Sequence, residues 1–192
     1  LGAEPFRDGL RHYLKSYAYK NAETKDLWSA LEEITGKPIV SFMQGWTSKS
    51  GYPLVSVENR NNHLTITQTK FVTNPASPAR QDTTLWQVPL LCDELSTTVI
   101  SKKRTTIPYD DHPPIQINEN QTGFYRVRYD ETIQHNQMRA IETGSLSEID
   151  RMSLLSDGFE ITRAGYQPIV EYLPLPSHFK NEPSLPLREI LH

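Results

Sequence analysis

The feature that most constrains this chain is a double change in the spacing of its apolar residues. From Pro5 to about Lys49 the spacing is helical. From Tyr52 to Tyr129 it follows the two-residue alternation of strands, and from Asp130 the helical period returns. Helices and strands therefore come in blocks and do not alternate one by one. That order predicts an α+β chain: N-terminal helices, a central small β-sandwich of about seven strands, and C-terminal helices.

The first block carries one apolar stripe, Phe6, Leu10, Tyr13, Leu14 and Tyr17, with Pro5 suited to a first helical turn. Thr24 is placed to cap a second helix, with Asp26 near the positive end of its dipole. Its expected buried face is Leu27, Trp28, Leu31 and Ile34, and Gly36 stops it. Pro38 opens a third helix with Ile39, Phe42, Met43 and Trp46, ended by Gly51 and Pro53.

Seven runs then read as short strands. They are Leu54 to Val57, Leu64 to Thr69, Leu85 to Leu91, Leu95 to Ser101, Arg104 to Ile107, Ile115 to Asn118, and Phe124 to Tyr129. Asn59 to Asn62 is a polar turn cluster, and Pro75 and Pro78 mark a loop. In the last run Tyr125, Val127 and Tyr129 share one face, and Arg126 and Arg128 share the other.

In the third block Asp130 caps a helix that Gly144 stops. Ser147 with Asp150 has the form of a capping box before Ile149, Met152, Leu155 and Phe159, with Gly165 as the stop. Beyond it, Pro168, Pro174, Pro176, Pro183 and Pro186 exclude a long regular helix.

Composition narrows the function classes. Twenty Lys and Arg against 23 Asp and Glu give a net charge of -3, which argues against a nucleic-acid partner. No run of 18 apolar residues is present to span a bilayer. Leu1 is not a start methionine and no signal pattern follows, so the chain reads as a piece of something longer. Cys92 is the single cysteine. It forms no intrachain disulfide and reads as a buried, inert thiol.

No catalytic constellation emerges from the residues. His-Glu-x-x-His is absent, and His12, His63, His112, His135, His178 and His192 are scattered. Asp110-Asp111-His112 reads as a solvated turn between prolines, not a metal site. Asp157-Gly158-Phe159 falls inside an amphipathic helix, so it is no kinase-type loop. Lys102-Lys103-Arg104 suits an edge strand that discourages sheet pairing. Asn120-Gln121-Thr122 is a lone glycosylation sequon. Catalytic, substrate-binding and metal-ligating residues are each expected to be none in this chain.

Several motifs nevertheless occur together and in order. Gly9-Leu10, Tyr13-Leu14, Tyr19-Lys20-Asn21-Ala22, Asp26-Leu27-Trp28, Trp46-Thr47 and Gly51-Tyr52-Pro53 open the series. Leu64-Thr65-Ile66-Thr67-Gln68 with Phe71, Trp86-Gln87-Val88-Pro89-Leu90, and Gly123 through Asp130 follow, then Asp150-Arg151 and Leu154-Leu155-Ser156-Asp157. The series resembles the gluzincin zinc aminopeptidases, closest in look to the puromycin-sensitive and aminopeptidase N branch, over roughly residues 1–166. Lys49, where that family often has Gln, and the prolines at 174 and 176 depart from it.

The resemblance implies a four-domain metallopeptidase that removes N-terminal residues from peptides with one zinc. It assigns 1–52 to the last helices of the catalytic domain, 53–130 to the β-sandwich and 131–192 to the first C-terminal helices with an irregular Pro-rich tail. The family's zinc-binding helix, its Gly-x-Met-x-Asn strand and its catalytic tyrosine all lie upstream of the position matching Leu1. Tyr13, Tyr17 and Tyr19 fall after that tyrosine, so none is carried over. The implied role is non-catalytic: positioning the catalytic domain against the helical domain. Zinc and the peptide substrate belong to the full-length enzyme, and the cytoplasm is the implied compartment. The bared Phe6–Tyr17 face is a route to self-association. The alternative is a free-standing interaction module built on a β-sandwich. A carbohydrate-binding sandwich is disfavoured because Trp28 and Trp46 sit on helical stripes.

Overall fold

The helical spacing before Tyr52 folds as three helices, α1 (Ala3–Ser16), α2 (Thr24–Thr35) and α3 (Ile39–Thr47). The structure is a computed structural model describing residues 1–96, 98–109, 115–180 and 182–191, and it divides after Ser50 into two units.

In the first unit, α2 begins one residue earlier than the sequence suggests. Glu23, not Thr24, is the N-cap, and the Asp26 carboxylate accepts the Glu23 N–H at 2.8 Å in a capping box. Gly36 ends the helix in the left-handed region at φ 64°. A Cβ added to Gly9 would stand 2.5 Å from a methyl of Leu31, so α1 approaches α2 through a residue with no side chain. Only Gly9, Ala30 and Leu31 are buried in this unit among the described residues. Ile34, expected on the inner face, is 44% exposed, because that face turns on Ala30 and Leu31. None of Ile39, Phe42, Met43 and Trp46 is fully buried.

The second unit begins at Gly51. Strands β1 (Pro53–Arg60) and β2 (His63–Lys70) form a hairpin in which Arg60 faces His63. Its two turn residues, Asn61 and Asn62, have φ of 51° and 60°, the left-handed pair that matches strand twist. Two further strands, β3 (Val88–Pro89) and β4 (Val99–Ile100), make a small separate sheet. β5 (Arg104–Pro108) pairs antiparallel with β2, and β6 (Arg126–Tyr129) pairs parallel with β1, giving the order β5-β2-β1-β6.

The described residues thus hold six strands where the alternation suggests about seven. Ile115 to Asn118 is buried but unpaired as a strand. The Tyr129 hydroxyl donates to the Ile117 carbonyl at 3.2 Å and accepts its N–H at 2.9 Å, taking the place of a neighbouring chain. The run from Leu85 contracts to β3 for a related reason. The buried Gln68 amide takes both the N–H and the carbonyl of Trp86, each at 2.9 Å. Of the run from Leu95 to Ser101, whose residue 97 lies outside the described residues, Val99–Ile100 form β4, and the Leu95 N–H closes a turn onto the Cys92 carbonyl.

Helix α4 (Glu131–Glu142) follows directly. Asp130 caps it through the Ile133 N–H at 2.9 Å. Helix α5 (Glu148–Arg163) is capped by Ser147. Its expected apolar face holds only in part: Leu155 is fully buried and Met152 half-buried, but Ile149 and Phe159 are 42% and 53% exposed, whereas Asp150, Arg151 and Asp157 are buried. The proline-dense tail forms three short helices, α6 (Ile169–Tyr172), α7 (Pro174–Ser177) and α8 (Leu185–Leu191). Phe179 and Leu187 anchor the tail by burial. Among the described residues no helix is long and apolar enough to cross a membrane.

Candidate functional site

The polar face of α5 is where the motif residues converge. Asp157 is buried. Its carboxylate accepts the Arg126 guanidinium at 2.7 Å and the Val127 N–H at 2.8 Å. β6 is an edge strand, so this carboxylate gives the Val127 N–H the acceptor that a neighbouring strand would otherwise supply. Burial pushes Asp157 up to about 6, against the pull of Val127 N–H and Arg126. Two turns earlier, Asp150 accepts the Asn120 N–H at 2.8 Å and the Ser147 hydroxyl at 2.6 Å. The Ser147–Asp150 pair is therefore not a reciprocal box: its acid reaches across to the 119–121 turn. Arg151 holds the tail by a fork onto Glu182, at 2.8 and 2.6 Å, which holds the Glu182 carboxyl below its ordinary range.

Aromatic residues complete the joint. Tyr52 stacks on Phe71 and Phe71 on Tyr166, with ring centroids 5.4 and 5.5 Å apart. The Tyr166 hydroxyl accepts Val72 N–H at 2.9 Å and donates to the Lys70 carbonyl at 3.2 Å, fastening the segment after α5 to the end of β2. Arg80 lies 3.9 Å over the Tyr166 ring and donates to the Ala164 carbonyl at the C-terminal end of α5. Asp130 joins β6 to β1 by accepting the Asn59 N–H at 2.7 Å while capping α4. These contacts tie α5 to the sheet, to the 119–121 turn and to the tail, while the buried Nε atoms of Arg80 and Arg126 are left without a hydrogen-bond partner among the described residues.

The remaining residues singled out in the sequence stay apart. His12 meets Glu33, His63 meets the Asn61 carbonyl and His178 meets Glu142, while His135 is exposed on α4. Asp110-Asp111-His112 and His192 lie outside the described residues. Arg104 opens the edge strand β5, as the basic run suggests. Asn120 of the sequon is exposed. Tyr13 and Tyr17 lean on each other at 5.3 Å.

Cys92 is half-buried, not fully buried as the sequence suggests, and donates to Glu94 at 3.2 Å. Burial and Glu94 push the thiol far above its ordinary range, so it stays protonated and is a poor nucleophile. Glu119 completes a trio of ligand-type groups within 4.8 Å of one another, but it already accepts the Asp93 N–H. Its carboxyl is raised by burial and by the neighbouring acids. No sequence spacing signals this trio, because Glu94 and Glu119 lie 25 positions apart.

Two parts of the chain match family models. Residues 1–46 match the Peptidase family M1 domain, and residues 114–192 match the ERAP1-like C-terminal domain. The chain belongs to the M1 aminopeptidase family. It is 37% identical to Aminopeptidase M1-A of Oryza sativa subsp. japonica and 34% identical to Aminopeptidase M1 of Arabidopsis thaliana, over 95% of its own length in each case. Alanine/arginine aminopeptidase of Saccharomyces cerevisiae is 31% identical over 96% of the chain. The chain spans 22–23% of the length of these M1 relatives. In this M1 chain the motif residues Arg126, Asp150, Arg151 and Asp157 are placed as structural fasteners. A catalytic zinc does not fit the residues present: the sequence has no His-Glu-x-x-His, and the described histidines sit on separate elements.

Proposed function

We propose that this chain is the connecting part of a zinc-dependent aminopeptidase that removes N-terminal residues from peptides, and that it turns over no substrate by itself. In this reading residues 1–52 close the catalytic domain, 53–130 form the β-sandwich and 131–192 begin the C-terminal helical domain. The observation that carries the reading is the Arg126–Asp157 pair with its Val127 N–H, which locks the edge of the sheet to α5. A rigid link of this kind fixes the angle at which a helical domain meets whatever the sheet supports, and such placement is what near-attack geometry and water control during closure require. The exposed Phe6, Leu14 and Ile34 of the first unit suit a surface that another part of such an enzyme covers. The single cysteine and the family resemblance favour the cytosol.

The test is turnover of an amino-acid anilide by the pure chain, with and without added zinc. The proposal predicts none in either case. Zinc-dependent release of the anilide would show that the metal ligands lie within these 192 residues and overturn it.

A further inference from the structure

Four arginines lie at or beside the joint, and they differ in what they hold: Arg80 donates to the Ala164 carbonyl. Arg126 is committed to Asp157 and Arg151 to Glu182. Arg128 sits two residues after Arg126 on the same face of β6, about 7 Å farther along the strand. It is half-buried, and among the described residues its guanidinium makes no ion pair and no hydrogen bond. A guanidinium keeps its charge at any physiological pH, so partial burial without a partner leaves a desolvation cost unmet.

Arg128 does not line the cleft of about 590 Å³ at the C-terminal end of α4, where Arg151 and His178 are already bonded to Glu182 and Glu142. The cleft of Arg128 measures about 480 Å³, in the size range of small-ligand sites. Its walls include Tyr129, Met138, Val170 and Pro174, which offer apolar surface to a side chain. Glu131 and Glu171 stand exposed on its rim, together with the His135 imidazole. Asp130 also lines it, but its two oxygens are taken by Asn59 and Ile133. The charge pattern is thus one unpaired fork inside an acidic rim. Such a rim repels phosphate-rich and polyacidic ligands and admits a molecule with a single carboxylate and a neutral or basic remainder.

We propose that this cleft binds the C-terminal carboxylate of a short peptide, with Arg128 as its two-pronged partner. The fork geometry of guanidinium and carboxylate supplies the directional contact, and the Met138 and Val170 wall receives the terminal side chain. The peptide class follows from the aminopeptidase proposal, whereas the carboxylate preference stands on Arg128 alone.

Calorimetric titration of the full chain with the tripeptide Ala-Lys-Leu, as free acid and as C-terminal amide, tests this. The free acid binds saturably and the amide at least tenfold more weakly. In Arg128→Gln the two forms bind alike, at the amide's level. Arg128→Lys keeps the charge without the fork and loses affinity for the free acid several-fold, which covers the case in which Arg128→Gln does not fold. Equal binding of acid and amide by the wild type, absence of binding by both, or a preference that survives in Arg128→Gln would each overturn the proposal. So would binding of N-acetyl-glutamate amide as tight as that of the free-acid peptide, since an acidic side chain would then suffice. Failure here leaves the anilide prediction intact, and anilide turnover would leave this binding result intact.

Discussion

The two units of this chain bury their residues in opposite ways. In Leu1–Ser50, three helices of good amphipathic pattern bury only Gly9, Ala30 and Leu31 among the described residues. In the unit from Gly51 on, large side chains such as Trp86, Ile115, Ile133 and Leu155 are fully buried, and charged groups are sealed among them. Helical pattern alone therefore does not make a core. The first unit has stripes without enough surface to bury them against, whereas the second closes its core with polar fasteners whose partners come from distant parts of the chain. The lesson is that the second unit is sensitive to the loss of any one member of its paired buried charges, whereas the first unit has no such pair among the described residues.

The largest expected effect tests that contrast directly. Asp157→Ala leaves the Arg126 guanidinium and the Val127 N–H without their shared partner. Removing one member of a buried pair costs about 3–5 kcal/mol. Denaturant unfolding followed by circular dichroism should show a loss of this size, and a loss under about 1 kcal/mol would show that the joint is a surface pair in effect.

Next in size is a dependence on pH. Asp157 sits at about 6 in the folded chain, above its ordinary value of 3.8. Between these values the folded form binds more protons than the unfolded form. The stability that this group confers is thus fully present below pH 3.8 and is lost as the pH rises through 6, by at most ~3 kcal/mol. Asp157→Asn carries no such proton. The gap in stability between wild type and Asp157→Asn should narrow as pH rises from 4 to 7 if the wild type starts ahead, and a gap that is constant with pH would refute the assignment.

The smallest effects come from a pair of glycines, one in each unit. A Cβ on Gly158 would stand 2.8 Å from the Tyr172 ring, and one on Gly9 2.5 Å from Leu31. Overpacking of this kind costs about 1–3 kcal/mol. Gly158→Ala should lower the unfolding midpoint of the second unit. Gly9→Ala should loosen α1 from α2 and leave that midpoint where it was. Equal shifts from both would erase the distinction between the units.

Much of the fold is legible in the residues. Gly36, Gly144 and Gly165 mark helix ends and all take positive φ, and Asp130 and Ser147 cap the helices that follow them. The alternation in Leu64 to Thr69 gives β2, and the Asn61-Asn62 pair gives its turn. What escapes the sequence is set by long-range polar bonds. Gln68 holds Trp86 from 18 residues away, and the Tyr129 hydroxyl occupies the backbone of Ile117, so two strand-like runs do not pair as their patterns suggest. Helix α5 buries Asp150, Arg151 and Asp157 beside Leu154, Leu155 and Ile161 because those charged groups have partners near residues 120, 182 and 126. Periodicity counts apolar side chains, so it assigns such acids to solvent. Arg126 and Arg128 look alike in the sequence, and only α5 tells them apart, by carrying an acid opposite the first.

Amide hydrogen exchange on the full chain tests the central claim most directly. The account predicts that the Val127 amide, held by Asp157, exchanges only on global unfolding of the second unit, as slowly as the amides of β1 and β2, while amides of α1 and α3 exchange through local opening many times faster. Rapid exchange at Val127, or protection as strong in α1 and α3 as in the sheet, would contradict it.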